Sequence, residues 1–345
     1  MATAKKITAK TFAFKPSATK FYFNSSYTLL RELVSKQQTV IITDENVFKH
    51  HQQKFRGYNT IVLKPGEMYK VQATVDAVIN QLITLQANRN TMLIGVGGGV
   101  ITDITGYVAA VYMRGLSFGF IPTTLLGLVD ASIGGKNGID VGVYKNIVGT
   151  IRQPSFILHD YNFLKTLPLA EWQNGFAEII KHACIKNAAM FRQLQKHDVF
   201  FYQKNKAALA KLIQQNILIK ARVVLNDPFE KGERKLLNFG HTLGHALENQ
   251  YELSHGQAIS IGMYYAAFFS SSVFLFKHRE KVKQLLEQYG LPTTASFDIA
   301  KAVEVLRMDK KRDMDEINYI LLKKIGQGVI HKMPIILVQK IIQII

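Results

Sequence analysis

The segment TMLIGVGGGVITD, residues 91–103, constrains the fold most strongly, because an apolar strand pattern enters three glycines and leaves as a helical pattern. Glycines let the backbone approach a pyrophosphate, and a helix N-terminus favours that anion. The strict G-x-G-x-x-G pattern is absent, since Val100 stands where the third glycine would fall after Gly95 and Gly97. A nucleotide-binding turn and a tight turn without a ligand therefore both stay open.

Short β-branched runs alternate with helical patterns through the first half of the chain. This alternation is typical of a parallel sheet covered by helices. We predict strands at 39–44, 58–67, 91–99 and 116–124, and helices at 71–87 and 101–114. From about Pro168 long helical patterns take over. The fold class predicted is α/β, with an N-terminal Rossmann-like parallel-sheet domain, 1–165, and a mainly α-helical domain, 166–345.

The charge of the chain limits its partners. The 345 residues include 43 Lys and Arg against 25 Asp and Glu, a formal charge of +18. Nucleic acid, an acidic surface or a polyanionic small substrate would suit that charge, and charge alone does not choose among them. The basic residues are scattered and lack the basic-aromatic repeats that stack bases, so we expect no nucleic acid.

Cysteine usage and hydropathy indicate where the protein works. Cys184 is the only cysteine, so an internal disulfide cannot form, and MATAKKITAKTF lacks an apolar core of signal-peptide length. The uncharged stretch 258–276 contains four serines, which favours a buried helix over a membrane span. We expect a cytoplasmic protein that does not enter the membrane.

Two polar turns and a glycine-rich segment add candidates for a nucleotide site. Asp44 and Glu67 close predicted strands, where a carboxylate can accept hydrogen bonds from ribose hydroxyls; a solvated loop stays open as the alternative for Glu67. The segment DASIGGKNGIDVGVYKN, residues 130–146, fails the P-loop pattern, because Asp130 stands at a required glycine and Asn137 replaces Ser or Thr. Its lysines among glycines still favour anion binding over a solvated loop.

The segment NFGHTLGHALENQYELSHG, residues 238–256, carries three histidines. His241 and His245 share one helical face, as the histidines of a zinc helix do, but Thr242 excludes the H-E-x-x-H motif. A catalytic zinc site usually takes three protein ligands, and Glu178 is a candidate because a buried carboxylate needs a cation. Three ligands, two ligands with one catalytic group, and a plain helix end all remain open.

Eight motifs together resemble one family, 3-dehydroquinate synthase. They occur in the family's order and approximate spacing over about residues 40–325: GVGGGVITD, YMRG, IPTTLLGLVDASIGGKNGID, YKN, TLP, AEIIKH, RKLLNFGHTLGHALE and SHGQAISIGM. Three departures are Thr102 and Tyr144, where relatives commonly have glycine, and His182, where tyrosine is common. None removes a charged position of the motifs.

The resemblance implies NAD and a divalent metal, Zn²⁺ or Co²⁺, as cofactors. It assigns the metal to Glu178, His241 and His255, and leaves His245 for the phosphate and acid-base site. Positions that match NAD contacts are Asp44, Glu67, Lys70, Gly98, Gly99, Val100, Ile101, Thr102, Asp103, Thr123, Thr124, Lys136, Lys145, Phe163 and Thr166.

The resemblance also implies a substrate, a reaction and an assembly. The substrate is 3-deoxy-D-arabino-heptulosonate 7-phosphate, which NAD-recycled oxidation, phosphate elimination, reduction, ring opening and aldol closure convert to 3-dehydroquinate in the shikimate pathway. Arg114 matches an arginine that reaches the partner's site in a homodimer. Positions that match substrate contacts are Asp130, Lys136, Asn146, Lys181, Lys220, Arg234, Asn238, His245 and a lysine at 310 or 311. The alternatives are another sugar phosphate cyclase and a metal-dependent polyol dehydrogenase.

Overall fold

The structure is a computed structural model, and it describes residues 8–14, 17–142, 144–248, 250–309 and 316–343, without the side chains of 307–309. Two compact units divide the chain. The first holds the described residues up to Glu171 together with Ala210–Pro228, and the second holds Trp172–Leu209 and the described residues from Phe229 onward. The ranges 1–165 and 166–345 stay a prediction, and the sequence pattern did not indicate that 210–228 belongs with the first unit.

The first unit is built on a parallel sheet. The strand Thr39–Asp44, which has a neighbouring strand on each side, is buried at every residue, as expected for a strand that helices cover on both faces. The strands of this unit are β1 (Thr8–Phe12), β2 (Thr19–Phe23), β3 (Thr39–Asp44), β4 (Asn59–Leu63), β5 (Met92–Gly97), β6 (Ser117–Pro122), β7 (Lys136–Val141), β8 (Tyr144–Ile151) and β9 (Phe156–Leu158). Among the described residues, seven of them form the sheet in the order β1-β2-β9-β6-β5-β3-β4, with only β1 and β2 antiparallel, while β7 and β8 form a separate hairpin.

Helices connect the parallel strands, which confirms the predicted α/β class. They are α1 (Leu30–Leu33), α2 (Glu45–Phe55), α3 (Gln72–Thr84) and α4 (Gly99–Val111). The buried side chains of Ile41, Ile94, Val96 and Ile121 come from adjacent strands and form one apolar cluster with Phe163. Burying such side chains contributes roughly 1.5–3 kcal/mol each, so this cluster fixes the sheet on which the strand ends are displayed.

The second half of the chain is mainly helical, as predicted. Its helices are α5 (Leu169–Lys186), α6 (Ala188–Leu194), α7 (Val199–Lys204), α8 (Lys206–Asn226), α9 (His241–Glu248), α10 (His255–Phe274), α11 (Arg279–Gln288), α12 (Ile299–Asp309) and α13 (Ile335–Ile342). An antiparallel hairpin of β10 (Glu316–Lys324) and β11 (Gln327–Pro334), which the sequence did not predict, packs against α10.

The two apolar helices α10 and α13 both bury side chains against other parts of the second unit. Most of α10 is buried, and within the described residues no helix is long and apolar enough to span a bilayer. At the C-terminus, α13 buries Val338, Ile341 and Ile342 and contacts α12 and β11. The helix therefore belongs to the core of the second unit.

Candidate functional site

Three side chains of the second unit converge as metal ligands would. Glu178 lies on α5 and is fully buried, His241 begins α9 and His255 begins α10. The Nε2 atoms of His241 and His255 lie 3.5 and 3.1 Å from Oε1 of Glu178, and each of the three residues offers a ligand atom within 4.8 Å of the others. A Glu-His-His set of this kind fits a divalent metal that keeps a coordination position for substrate.

The opposite ring nitrogens of both histidines face acceptors. Nδ1 of His241 lies 3.3 Å from the carbonyl oxygen of Phe239, and Nδ1 of His255 lies 3.4 Å from Oε2 of Glu248. A proton held on Nδ1 leaves the lone pair on Nε2, which is how metal-ligating histidines are usually oriented. The fit to a metal therefore extends beyond the three ligands.

Glycines let α9 lie directly on α10 and so bring the two histidines together. A Cβ on Gly262 would lie 1.9 Å from the carbonyl oxygen of Gly240, and a Cβ on Gly244 would lie 2.8 Å from Cδ1 of Ile259. Gly240 also has φ +83°, a conformation that side chains with a Cβ rarely adopt. The glycines of the motif around His241 thus serve helix contact.

Asn174 joins the start of α10 to α5, one helical turn before Glu178. Its Oδ1 accepts hydrogen bonds from Oγ of Ser254 (2.7 Å) and from the backbone N–H of Gly256 (3.1 Å). Ser254 also forms a capping box with Gln257. These bonds flank His255 in sequence and fix its position relative to Glu178.

The electrostatics of the cluster favour a positive charge at its centre. Burial alone would raise the pKa of Glu178, but Lys181 and the hydrogen bonds to His241 and His255 hold it well below the usual range. Burial and then Lys181 lower the pKa of His241. Burial opposes a charge on His255, yet Glu178 and Glu248 raise its pKa to about 10. A proton or a divalent cation supplies the charge that these carboxylates require.

The predicted substrate contacts of the second unit lie on α5, α9 and the turn before α9. Nζ of Lys181 forms an ion pair with Oε2 of Glu178. Arg234 is buried, and Asn238 donates a hydrogen bond of 2.6 Å to Oε1 of Glu230. The His245 ring lies 5.1 Å from the His241 ring. His245 thus lies beside the cluster of Glu178, His241 and His255. Lys310 and Lys311 lie outside the described residues.

In the first unit, a buried ammonium organises the predicted nucleotide contacts. Nζ of Lys70 lies 2.7 Å from Oδ2 of Asp103, 3.4 Å from Oε1 of Glu67 and 2.5 Å from Oδ1 of Asn146. Although burial opposes its charge, Asp103 and Glu67 raise the pKa of Lys70, and burial raises that of Asp103. Residues that are distant in the sequence are therefore joined by one cation.

The glycine turn between β5 and α4 has the close packing that the sequence suggested. Gly98 caps α4, and a Cβ on it would lie 3.1 Å from Cγ2 of Thr124. The N–H of Thr123 donates to the carbonyl oxygen of Gly97 at 3.0 Å. Gly99, Val100, Ile101, Thr102 and Asp103 then form the first turns of α4, with the Thr102 hydroxyl bonded to the carbonyl oxygen of Gly99 (2.9 Å). The threonine departure therefore does not disrupt the turn.

The remaining predicted nucleotide contacts occupy different environments. Asp44 ends β3 and caps α2 by accepting a hydrogen bond from the N–H of Val47 (2.9 Å). Phe163 is buried in the apolar cluster, and Thr166 is exposed. Nε2 of His51, which the sequence did not single out, lies 3.0 Å from Oγ1 of Thr166.

The other predicted contacts of the first unit are an ion pair and a group of more exposed side chains. Nζ of Lys220, on α8, lies 2.8 Å from both the carbonyl oxygen and Oδ2 of Asp130. Lys136 begins β7 and is exposed, Lys145 on β8 is half-buried, and Arg114 is exposed at φ +65°. Lys136 and Lys145 thus lie on the hairpin β7–β8. The sequence analysis predicted that the segment containing them, residues 130–146, binds an anion.

Glu248 and Asn174 contact the segments around Glu178, His241 and His255, and the sequence analysis did not predict either contact. Each lies within one of the quoted motifs or beside it, but neither residue type suggests metal chemistry by itself. Glu248 stands seven residues after His241, on the same helical face. That spacing is the one signal that could have found it.

Comparison with known proteins gives one family along most of the chain. Residues 60–174 match the family described as 3-dehydroquinate synthase N-terminal, and residues 175–312 match 3-dehydroquinate synthase C-terminal. A relative named 3-dehydroquinate synthase, from Campylobacter concisus (strain 13826), is 39% identical over 328 residues, which is 92% of this chain and 92% of the relative. The two matched regions follow each other without a gap.

Solved structures that share the fold include two synthases with NAD⁺ and a divalent metal bound. The structure of 2-deoxy-scyllo-inosose synthase complexed with carbaglucose-6-phosphate, NAD⁺ and Co²⁺ is 25% identical, with a TM-score of 0.83 over 97% of this chain and 99% of that chain. The structure of 2-epi-5-epi-valiolone synthase from Streptomyces hygroscopicus subsp. jinggangensis 5008, with NAD⁺ and Zn²⁺ bound, is 24% identical, with a TM-score of 0.85 over 100% and 98%. The latter likeness concerns the fold alone.

Proposed function

Because the chain belongs to the 3-dehydroquinate synthase family, we propose that it converts 3-deoxy-D-arabino-heptulosonate 7-phosphate to 3-dehydroquinate and phosphate, the second step of the shikimate pathway. The observation that carries this proposal is the convergence of Glu178, His241 and His255 in a chain of this family. Three ligands of that kind suit a metal that acts on hydroxyl groups.

We assign the cofactors to the two units separately. NAD would lie on the glycine turn after β5, with Lys70 and Asp103 beside it, and would take up and return one hydride in each turnover. A divalent metal, zinc or cobalt, would occupy the Glu178 cluster and acidify the hydroxyl group that is oxidised. The structure of 2-deoxy-scyllo-inosose synthase, with its bound NAD⁺ and Co²⁺, supports both assignments.

Charged side chains supply the substrate contacts in this proposal. Arg234 offers a planar fork that suits a carboxylate, and Lys181 and Lys220 offer point charges for carboxylate or phosphate. His245, one turn after His241, or the substrate's phosphate accepts the proton that is lost when phosphate leaves. A polyol dehydrogenase, the rival enzyme, has no need of such a set of cations.

Incubation with the heptulosonate phosphate, NAD and Zn²⁺ tests the function. We expect phosphate release that is stoichiometric with substrate and no accumulation of NADH. Accumulating NADH without phosphate release would point to a dehydrogenase, and release from a hexose 6-phosphate instead would point to another sugar phosphate cyclase. Glu178→Gln should abolish phosphate release together with stoichiometric zinc binding, and full retention of zinc would contradict the ligand assignment.

We further propose a homodimer in the cytoplasm. Strand β8 exposes Tyr144 (55%), Ile147 (64%), Val148 (39%) and Ile151 (48%), and a concentration of exposed apolar side chains on one strand is typical of an interaction surface. Arg114, which would reach the partner's site, is also exposed in this unit. The cytoplasmic location rests on the unpaired, buried thiol of Cys184, and cell fractionation tests it.

Sedimentation velocity tests the dimer. We expect the wild-type chain to sediment as a dimer and Ile147→Asp to sediment as a monomer, because a charge would be buried at the interface. Ile336→Asp, a matched control on α13 where the side chain is 59% exposed, should leave the dimer intact. Equal effects of the two changes would contradict an interface on β8.

A further inference from the structure

We propose that Glu248 is a positioning residue of the metal centre: its carboxylate holds the His255 imidazole so that Nε2 faces the metal. The inference rests on the proposed metal-dependent function and assigns a role to a residue that is not a ligand. It concerns only the second unit, in which all of the groups involved lie.

The geometry places His255 between two carboxylates. Its Nε2 lies 3.1 Å from Oε1 of Glu178, and its Nδ1 lies 3.4 Å from Oε2 of Glu248. The imidazole that binds a metal is neutral and has one N–H, and an acceptor at Nδ1 places that proton there. Nε2 is then the atom with a lone pair, and it is the atom that faces Glu178 and His241.

The position of Glu248 is unfavourable for the fold alone. Its side chain is only 9% exposed, and it is the last residue of α9, where the helix dipole disfavours a negative charge. Burying a carboxylate also carries a desolvation penalty that a partner must offset. The contact with Nδ1 of His255 is one interaction that offsets this penalty, and it ties the carboxylate to the orientation of that ring.

One short helix carries both a ligand and the group that orients another ligand. His241 and Glu248 are the first and last residues of α9, seven positions apart, so they project from the same face. His255, which starts α10, lies across that face, with its ring 5.7 Å from the His241 ring. The packing of α9 on α10 therefore positions both His241 and the Glu248 carboxylate relative to His255.

The two histidines have acceptors of different strength. His241 has the neutral carbonyl oxygen of Phe239 at its Nδ1, whereas His255 has a carboxylate. A charged acceptor makes the imidazole more basic and a stronger metal ligand. Loss of such an orienting partner typically lowers metal affinity about 10–100-fold.

Zinc affinity of the full-length protein, measured by competition with a chromophoric chelator, tests the proposal. We expect Glu248→Gln to raise the Kd for Zn²⁺ about 10–100-fold, and Glu248→Asp, whose shorter side chain withdraws the carboxylate, to raise it as well. Glu252→Gln is the matched control, because it removes the same charge from an exposed position three residues before His255, and it should bind as the wild type does. Circular dichroism establishes that each variant is folded, and Glu248→Asp supplies the answer if Glu248→Gln does not fold.

Two further readouts distinguish positioning from other roles. The visible absorption of the Co²⁺-loaded protein should shift in Glu248→Gln and not in Glu252→Gln, and saturating zinc should restore phosphate release to Glu248→Gln. A zinc Kd within twofold of the wild type, or a loss of phosphate release that zinc does not restore, would overturn the inference while leaving the proposed function in place. A wild-type protein that binds no zinc would overturn the proposed metal centre itself.

Discussion

Replacing Gly262 by alanine should lower the stability of the second unit and, at the same time, weaken zinc binding by Glu178, His241 and His255. The new Cβ would lie 1.9 Å from the carbonyl oxygen of Gly240 and 3.0 Å from the backbone nitrogen of Gly244, whereas ordinary contact begins at 3.4 Å. The shortfall of about 1.5 Å between 1.9 and 3.4 Å falls on backbone atoms, so rotation of a side chain cannot relieve it. Helices α9 and α10 must therefore move apart.

Two opposing energies set the size of the effect. Alanine within a helix is favoured over glycine by about 1 kcal/mol. Overpacking of a dense core costs typically about 1–3 kcal/mol and occasionally more, and a clash with backbone lies at the upper end. We expect a net loss of about 2 kcal/mol in the free energy of unfolding, and a shift of His241 that exceeds the roughly 0.2 Å tolerance of a metal site.

Urea unfolding and zinc competition measure the two consequences. We expect a lower urea midpoint and a zinc Kd that is raised at least tenfold for Gly262→Ala. Ser272→Ala, on an exposed position of the same helix, is the control and should change neither quantity. An unfolding free energy within about 0.5 kcal/mol of the wild type together with unchanged zinc affinity would refute the reasoning, because such values are ordinary for surface substitutions.

Three other predictions concern charges and caps. Zinc binding at pH 7 should release about one proton, because Glu178 and Glu248 keep His255 protonated before the metal enters. Calorimetry in buffers of different ionisation enthalpy measures the number of protons released, and a value of zero would contradict that protonation state. Lys70→Met should lower the free energy of unfolding by about 3–5 kcal/mol, because the Asp103 carboxylate loses its ion-pair partner. Burial raises the pKa of Asp103, so its carboxyl group is more fully charged at pH 8 than at pH 5, and the loss should be larger at pH 8. Equal losses at both pH values in urea unfolding would contradict this prediction. Ser254→Ala should cost about 1–2 kcal/mol through the lost cap and the lost bond to Asn174; an unchanged urea midpoint would mean that neither bond matters.

The sequence predicted the local elements best where periodicity is strong. The strand patterns correspond to β3, β4, β5 and β6, and the helical patterns to α3 and α4. The hairpins β7–β8 and β10–β11 were not predicted. In β7–β8, Gly138 and Gly149 approach the backbone of the facing strand, where a Cβ would lie 2.7 and 2.3 Å from a carbonyl oxygen. Such a requirement depends on the pairing and leaves no periodic signal.

The sequence by itself determined the chemistry that is available: a glycine turn before a helix, one carboxylate on an apolar helix, and three histidines near two helix starts. Spacing alone paired His241 with His245, because it can report only which residues share a helical face. The resemblance to a family grouped His241 with Glu178 and His255, but only the tertiary structure decided that Asn174 joins α5 to α10 and that Glu248 faces the Nδ1 side of the His255 ring. These contacts join separate helices whose separation is set by glycines, and helix packing is a property of side chains that are distant in the sequence.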